Sequence, residues 1–241
     1  MAAGKPLVRT LWVLRNLAGM TVRGVLFDFS GTLFRFEPEL EGLVGHDGET
    51  LDGEAQAEVV RRMTAPVGRP GGLPERLRDE WGRRDLDPPL HRELYLAVLR
   101  GSGVGNPEYL YEQLLSAEAW RPFPDTEAAL TAVAAAGMPI AVVSNIAWDI
   151  RPVFKRAGVA EQVTEFVLSY AEGAVKPDPR LFDIACRRIG ITPGEVLMIG
   201  DSDEADGAAA ELGCAVTLVE PVPVGQRPCA LVDALAEYGI R

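Results

Sequence analysis

The chain has 241 residues, 47% of them hydrophobic and 24% charged, with a formal net charge of −11 at pH 7. That is enough to bury a sizeable core as one large domain or a domain with an insertion, in the composition of an ordinary globular protein. The acidic excess argues against nucleic acid as a partner, which needs a basic face, and no run is long and apolar enough to span a membrane as a helix. Three cysteines, Cys186, Cys214 and Cys229, show no CxxC spacing. A disulfide framework or zinc site is not expected from them; they read as buried thiols in a reducing cytoplasm.

Residues 1–20 read as an extension with the pattern of a short amphipathic helix, since Arg15 interrupts the apolar run at Leu11–Leu14. Val25-Leu26-Phe27 is apolar without alternation, as in a strand covered on both faces. Asp28 then stands where that strand ends, the edge at which ligands collect in open α/β sheets. Gly31 permits a tight turn, and Ser30 and Thr32 offer hydroxyls beside it. Alone, Asp28 would equally suit an Asx-turn.

From about residue 39 to 119 the pattern is helical, clearest at Gly53–Met63 and Pro89–Leu99, with a loop by composition at 65–72. No strand-like run is evident there, so an all-helical insertion is expected. Beyond Pro124, strands and helices alternate: a helix capped by Asp125 or Thr126, a strand at Pro139–Val143, a helix at Trp148–Ala157 and a short strand at Phe166–Leu168. A helix opening at Pro179, a strand at Val196–Ile199, a helix at Glu204–Leu212, a strand at Val216–Val219 and a short helix at Ala230–Tyr238 follow. This alternation implies right-handed crossovers and a Rossmann-like, doubly wound parallel sheet.

Four stretches fall at strand ends or helix starts: Asp28-Phe29-Ser30-Gly31-Thr32, Val142-Val143-Ser144-Asn145, Lys176-Pro177-Asp178-Pro179, and Gly200-Asp201-Ser202 with Asp206 beyond. In this order they resemble the four motifs of the haloacid dehalogenase superfamily, most of whose members are phosphatases. The resemblance runs from about Arg23 to Val219. It implies a core of residues 21–38 and 120–241, with residues 39–119 as a helical cap inserted between the first and second motifs.

It also implies roles. Asp28 would be the nucleophile that attacks phosphorus, Ser144 and Lys176 would assist, and Thr32, Ser144, Asn145 and Lys176 would contact the substrate. Mg²⁺ would be held by Asp28, the Ser30 carbonyl, Asp201 and Asp206. The expected substrate is a small phosphorylated metabolite, handled in the cytoplasm. Ser30 departs from the pattern, because phosphatases of the family carry there a second aspartate that serves as general acid and base. A 2-haloacid dehalogenase-like hydrolase, or a phosphate-binding protein with weak catalysis, are the alternatives this leaves.

Overall fold

The computed structural model describes residues 21–64 and 73–241. The expected N-terminal helix and the loop at 65–72 lie outside the described residues. Among the described residues seven strands form: β1 (Gly24–Phe27), β2 (Phe34–Phe36), β3 (Trp120–Pro122), β4 (Ile140–Ser144), β5 (Glu165–Leu168), β6 (Val196–Gly200) and β7 (Ala215–Leu218). Five of them make one parallel sheet in the order β5-β4-β1-β6-β7.

The three central strands are buried along their whole length, as their unbroken apolar runs require. Their side chains alternate between two apolar clusters. Val25, Phe27, Ile140, Val142, Leu197 and Ile199 point into one. Leu26, Ala141, Val143, Val196 and Met198 point into the other. That period of two on a sheet covered from both sides is the doubly wound core the alternating pattern predicts.

The helices are α1 (Gly53–Thr64), α2 (Glu75–Arg78), α3 (Pro88–Gly101), α4 (Pro107–Leu115), α5 (Thr126–Ala135), α6 (Arg151–Arg156), α7 (Ser169–Glu172), α8 (Pro179–Ile189) and α9 (Ala230–Ala236). Asp178 caps α8 by accepting from Arg180 N at 2.9 Å, Pro179 opens its first turn, and Gly190 closes it at φ +71°. These are the signals the sequence carries for that helix.

Five details differ from expectation. β2 and β3 pair as an antiparallel ribbon bracketing the insertion; the two prolines of Arg121-Pro122-Phe123-Pro124 disguise β3, since proline removes a ladder donor. Inside the insertion the bridges Val44–Thr50 and Gly45–Val104 add extended pairing. The expected helix at 204–212 is a turn followed by a 3₁₀ segment, Gly207–Leu212, because Asp206 is drawn into the site. Asp125 makes no side-chain cap for α5; its carboxylate instead accepts from the N–H groups of Leu231 and Val232 at the start of α9, at 2.6 and 3.2 Å. Among the cysteines, Cys186 and Cys214 are buried, but Cys229 is exposed in the tail before α9.

Candidate active site

β4, β1 and β6 lie side by side in register, with Phe27 opposite Val142 on one side and Ile199 on the other. Chain continuation from those pairs brings Asp28, Ser144 and Asp201 together at the carboxyl edge. β1 is also where the strand order reverses, the position at which doubly wound sheets open a crevice. The Asp28 N–H is held by Ile199 O at 2.9 Å, so the nucleophile candidate is anchored to β6 through the backbone.

Lys176 reaches into this edge from the loop before α8. Its ammonium lies 2.6 Å from Asp28 Oδ1, 2.6 Å from Asp206 Oδ1 and 3.1 Å from Val143 O, filling all three donors. The loop itself is held by Asn145, whose side-chain amide both accepts from Lys176 N at 2.7 Å and donates to Lys176 O at 2.9 Å; the Lys176–Pro177 bond is cis. Asp206 uses its other oxygen to accept from the N–H groups of Asp201 and Ser202 at 3.1 and 3.0 Å. A Cβ on Gly200 would collide with the Asp206 side chain, and one on Gly31, at φ +85°, would collide with the Asp201 carboxylate. Gly200 is therefore required by close approach, and Gly31 by close approach as well as by its left-handed turn.

One ammonium, paired with Asp28 and Asp206, stands in a cluster of three carboxylates. Ligand atoms of Asp28, Asp201 and Asp206 all lie within 4.8 Å of one another. Burial pushes the Asp28 carboxyl up to about 6, against the pull of Lys176 and with Asp206 adding to the rise. Burial, then the charges of Asp28 and Asp206, push Asp201 up to about 8. Burial opposes the charge on Lys176, but its two carboxylates outweigh this and raise it above the usual lysine range. Packed carboxylates driven toward neutrality fit a divalent cation with oxygen ligands, which would relieve the same repulsion.

A cavity of about 90 Å³ opens over this cluster and is lined by Asp28, Ser30, Ser144, Asn145, Lys176 and Asp201 from the strand-end side. Thr32 is not part of it. The Gly31 turn carries Thr32 into the core, where it is fully buried and its hydroxyl finds no partner. A substrate contact from Thr32 is thus corrected to a structural position. The opposite wall has no counterpart in the motifs. It is built by Met63, Arg84, Asp85, His91 and Tyr95 from the insertion, with Trp148 from the loop after β4. Ser169, at the start of α7, ties this wall to the floor: its hydroxyl lies 2.7 Å from Asp85 O and 2.9 Å from Ile146 O, and accepts from Ile146 N at 2.8 Å.

Arg227, also absent from the sequence reading, braces the turn from behind. It donates to Gly31 O at 2.8 Å, to Glu220 O at 3.2 Å and to Thr32 O, and its guanidinium lies 3.4 Å from the Phe123 ring centroid. Burial lowers its affinity for a proton to about 10.

Fold and site together define an α/β protein of the doubly wound class, with a lysine-stapled acidic pocket at the carboxyl edge. The chain belongs to the haloacid dehalogenase-like hydrolases, whose family model matches residues 22–213. It is 27% identical to a phosphoglycolate phosphatase of Thiobacillus denitrificans, over 92% of this chain and 96% of that protein. It is 34% identical to a phosphoserine phosphatase of Thermus thermophilus over 91 residues, 37% of this chain and only 36% of that protein. The structure of L-2-haloacid dehalogenase from Xanthobacter autotrophicus superposes with a TM-score of 0.60 at 20% identity, covering 88% of this chain and 83% of that one, a likeness of fold. Among the described residues no helix is long and apolar enough to cross a membrane.

Proposed function

We propose that this protein is a Mg²⁺-dependent phosphoric monoester hydrolase acting on a small phosphorylated metabolite, with Asp28 as nucleophile. The observation that carries this reading is a buried carboxylate at a strand end, held at 2.6 Å by a buried lysine beside two further carboxylates. The phosphatases among its relatives support the same chemistry.

Asp28 Oδ attacks phosphorus, the ester P–O bond breaks, and an aspartyl phosphate forms; water then attacks phosphorus and frees the carboxylate. Lys176 neutralises charge on Asp28 and on the transferring group while Val143 O and Asp206 fix its position. Ser144, buried at the end of β4, offers its hydroxyl to a phosphoryl oxygen. Asp28, the Ser30 carbonyl and Asp201 would hold Mg²⁺, which supplies charge neutralisation for two anionic reactants. Asp206 aims Lys176 and closes the Asp201 turn, and its remaining lone pairs would let it join the ligands of the cation. Ser30 lines the cavity at the position where the motif resemblance would put an acid–base aspartate. A serine there hydrogen-bonds but is a poor proton donor and base, so esters with good leaving groups should be turned over best.

Residues 39–119 act, in this reading, as the cap that excludes water and selects the substrate. The buried thiols Cys186 and Cys214 fit a cytoplasmic setting.

The test is turnover of aryl and alkyl phosphates with Mg²⁺, in chelator, and by Asp28→Asn. Activity should vanish in chelator, return with Mg²⁺, and fall by at least about 10³-fold in the variant. Full activity in chelator with halide released from a 2-haloacid would move the protein to dehalogenase chemistry.

A further inference from the structure

The insertion is hydrogen-bonded to the rest of the chain at the ribbon, where it leaves and returns. There the Glu37 N–H donates to Ala119 O at 2.8 Å, and Trp120 Nε1 donates to Leu114 O at 3.0 Å. A further link lies at the cavity itself. Asp85, on the 3₁₀ segment Trp81–Leu86 of the insertion, and Ile146, in the loop after β4, both line it. The Ser169 hydroxyl stands between their backbones.

Ser169 is fully buried, and its hydroxyl oxygen accepts from Ile146 N at 2.8 Å. Two carbonyl oxygens lie within reach of its proton, Asp85 O at 2.7 Å and Ile146 O at 2.9 Å. A hydroxyl has a single hydrogen and turns to suit, so it can serve only one of them well. Ile146 O also receives the Tyr170 N–H at 3.3 Å. The hydroxyl can therefore leave Ile146 O without stranding that acceptor.

We propose that Ser169 is a positioning residue for the insertion, its hydroxyl turning between Asp85 O when the cavity is shut and Ile146 O when it is open. This rests on the reading of residues 39–119 as a cap. With the cap shut, the proton lies on Asp85 O and holds the wall of Arg84, Asp85 and His91 against the strand ends. With the cap lifted, Asp85 O turns to water and the same proton falls back on Ile146 O. Neither arrangement leaves the hydroxyl or the Ile146 N–H unmade, so the latch releases without the penalty of a stranded buried group. An ion pair in the same place would have to shed its water at each closure.

The core end of the latch belongs to the chemistry. Ile146 follows Ser144, the last residue of β4, and Asn145, which holds the Lys176 backbone at 2.7 and 2.9 Å. The loop that offers Ser144 to a phosphoryl group is thus the loop on which the cap is latched.

The test uses the full chain labelled with fluorotryptophan. Trp120 lines the cavity yet is buried, and Trp120→Phe identifies its fluorine signal. Relaxation of that signal by a soluble gadolinium chelate reads how often the cavity opens to solvent. Ser169→Ala should raise it by about 2–10-fold, the usual worth of one hydrogen bond. KM for an aryl phosphate in Mg²⁺ should rise by a similar factor, with kcat held or higher. Because the change also strands the Ile146 N–H, Ser169→Cys, close in size and a weak donor and acceptor, is measured beside it and should fall between. Equal relaxation in the wild type and both variants, with the cavity opening in all three, would overturn the latch and leave the cap. A fall in kcat with KM unchanged would overturn it too, by placing the hydroxyl's work in the floor. A Trp120 signal that the chelate reaches in no variant until urea unfolds the whole protein would overturn the cap and the latch together. Relaxation needs no turnover, so an inactive protein whose Trp120 responds to Ser169 keeps the latch while the hydrolase falls.

Discussion

The floor and the wall of the cavity solve the burial of charge in opposite ways. The floor gathers Asp28, Asp201 and Asp206 around the single ammonium of Lys176, leaving negative charge in excess. The Asp28 and Asp201 carboxyls are driven up, so protonating them favours the folded state. The wall keeps its one histidine neutral. Burial, helped by the Arg84 charge, lowers His91 to about 3, and Asp85 is matched by Arg84 at 3.3 Å. The difference separates chemistry from selection: the floor is built for a cation and a phosphoryl group, the wall for the remainder of a small molecule.

The strongest way to break this contrast is to remove the floor's only cation. Lys176→Met leaves Asp28 and Asp206 buried beside one another without their counter-charge, and should cost about 3–5 kcal/mol, the range for breaking a buried pair. Thermal or urea unfolding in chelator reads this directly. A loss under about 1 kcal/mol would mean the carboxylates are solvated and the cluster is not a charged floor at all.

Ser30→Asp sharpens the contrast instead. It places an acid–base group two residues after Asp28, and should raise turnover of an alkyl phosphate by about 10–10³-fold while helping an activated aryl phosphate less. The wild type should accumulate more aspartyl phosphate than the variant, visible as added mass during turnover. A fall on every substrate would show that the serine serves another chemistry.

The smallest effect probes the wall. An unfolded histidine titrates near 6.5, and His91 in the folded protein near 3. Between those values the unfolded chain binds more protons, so the contribution of a neutral His91 is complete above about pH 6.5 and is lost as pH falls toward 3. Arg84 and Asp85 are the charges facing it, the latter 3.9 Å from Nε2. His91→Phe should lower stability at neutral pH, because Tyr111 loses its partner, yet flatten the slope of stability against pH across that window. An unchanged slope would place the acid sensitivity elsewhere.

The floor was legible because its residues sit at strand ends, where sequence periodicity and position coincide. Val25–Phe27 and Val196–Ile199 announce buried parallel strands, and the carboxylates one and two residues beyond them, Asp28 and Asp201, are fixed by the same register. Lys176 was legible through the prolines around it. The wall was not, because Met63, Arg84, His91 and Trp148 share no spacing and meet only through tertiary packing. The same reason hid Asp125, whose capping of α9 spans 106 positions. Thr32 misled because a hydroxyl beside a glycine turn reads the same whether the turn sends it outward or into the core.

Arg227 carries a consequence for how the protein is made. The carbonyls it holds, on Gly31 and Thr32, leave the ribosome early, whereas their partner lies 196 positions after Gly31. β1, β4, β6 and β7 all precede Arg227 in the chain, so every strand of the sheet is made before the residue that braces the turn. The turn that carries Asp28 and Ser30 is therefore braced last, after the sheet that supports it. A nascent chain can own the fold without owning the organised nucleophile.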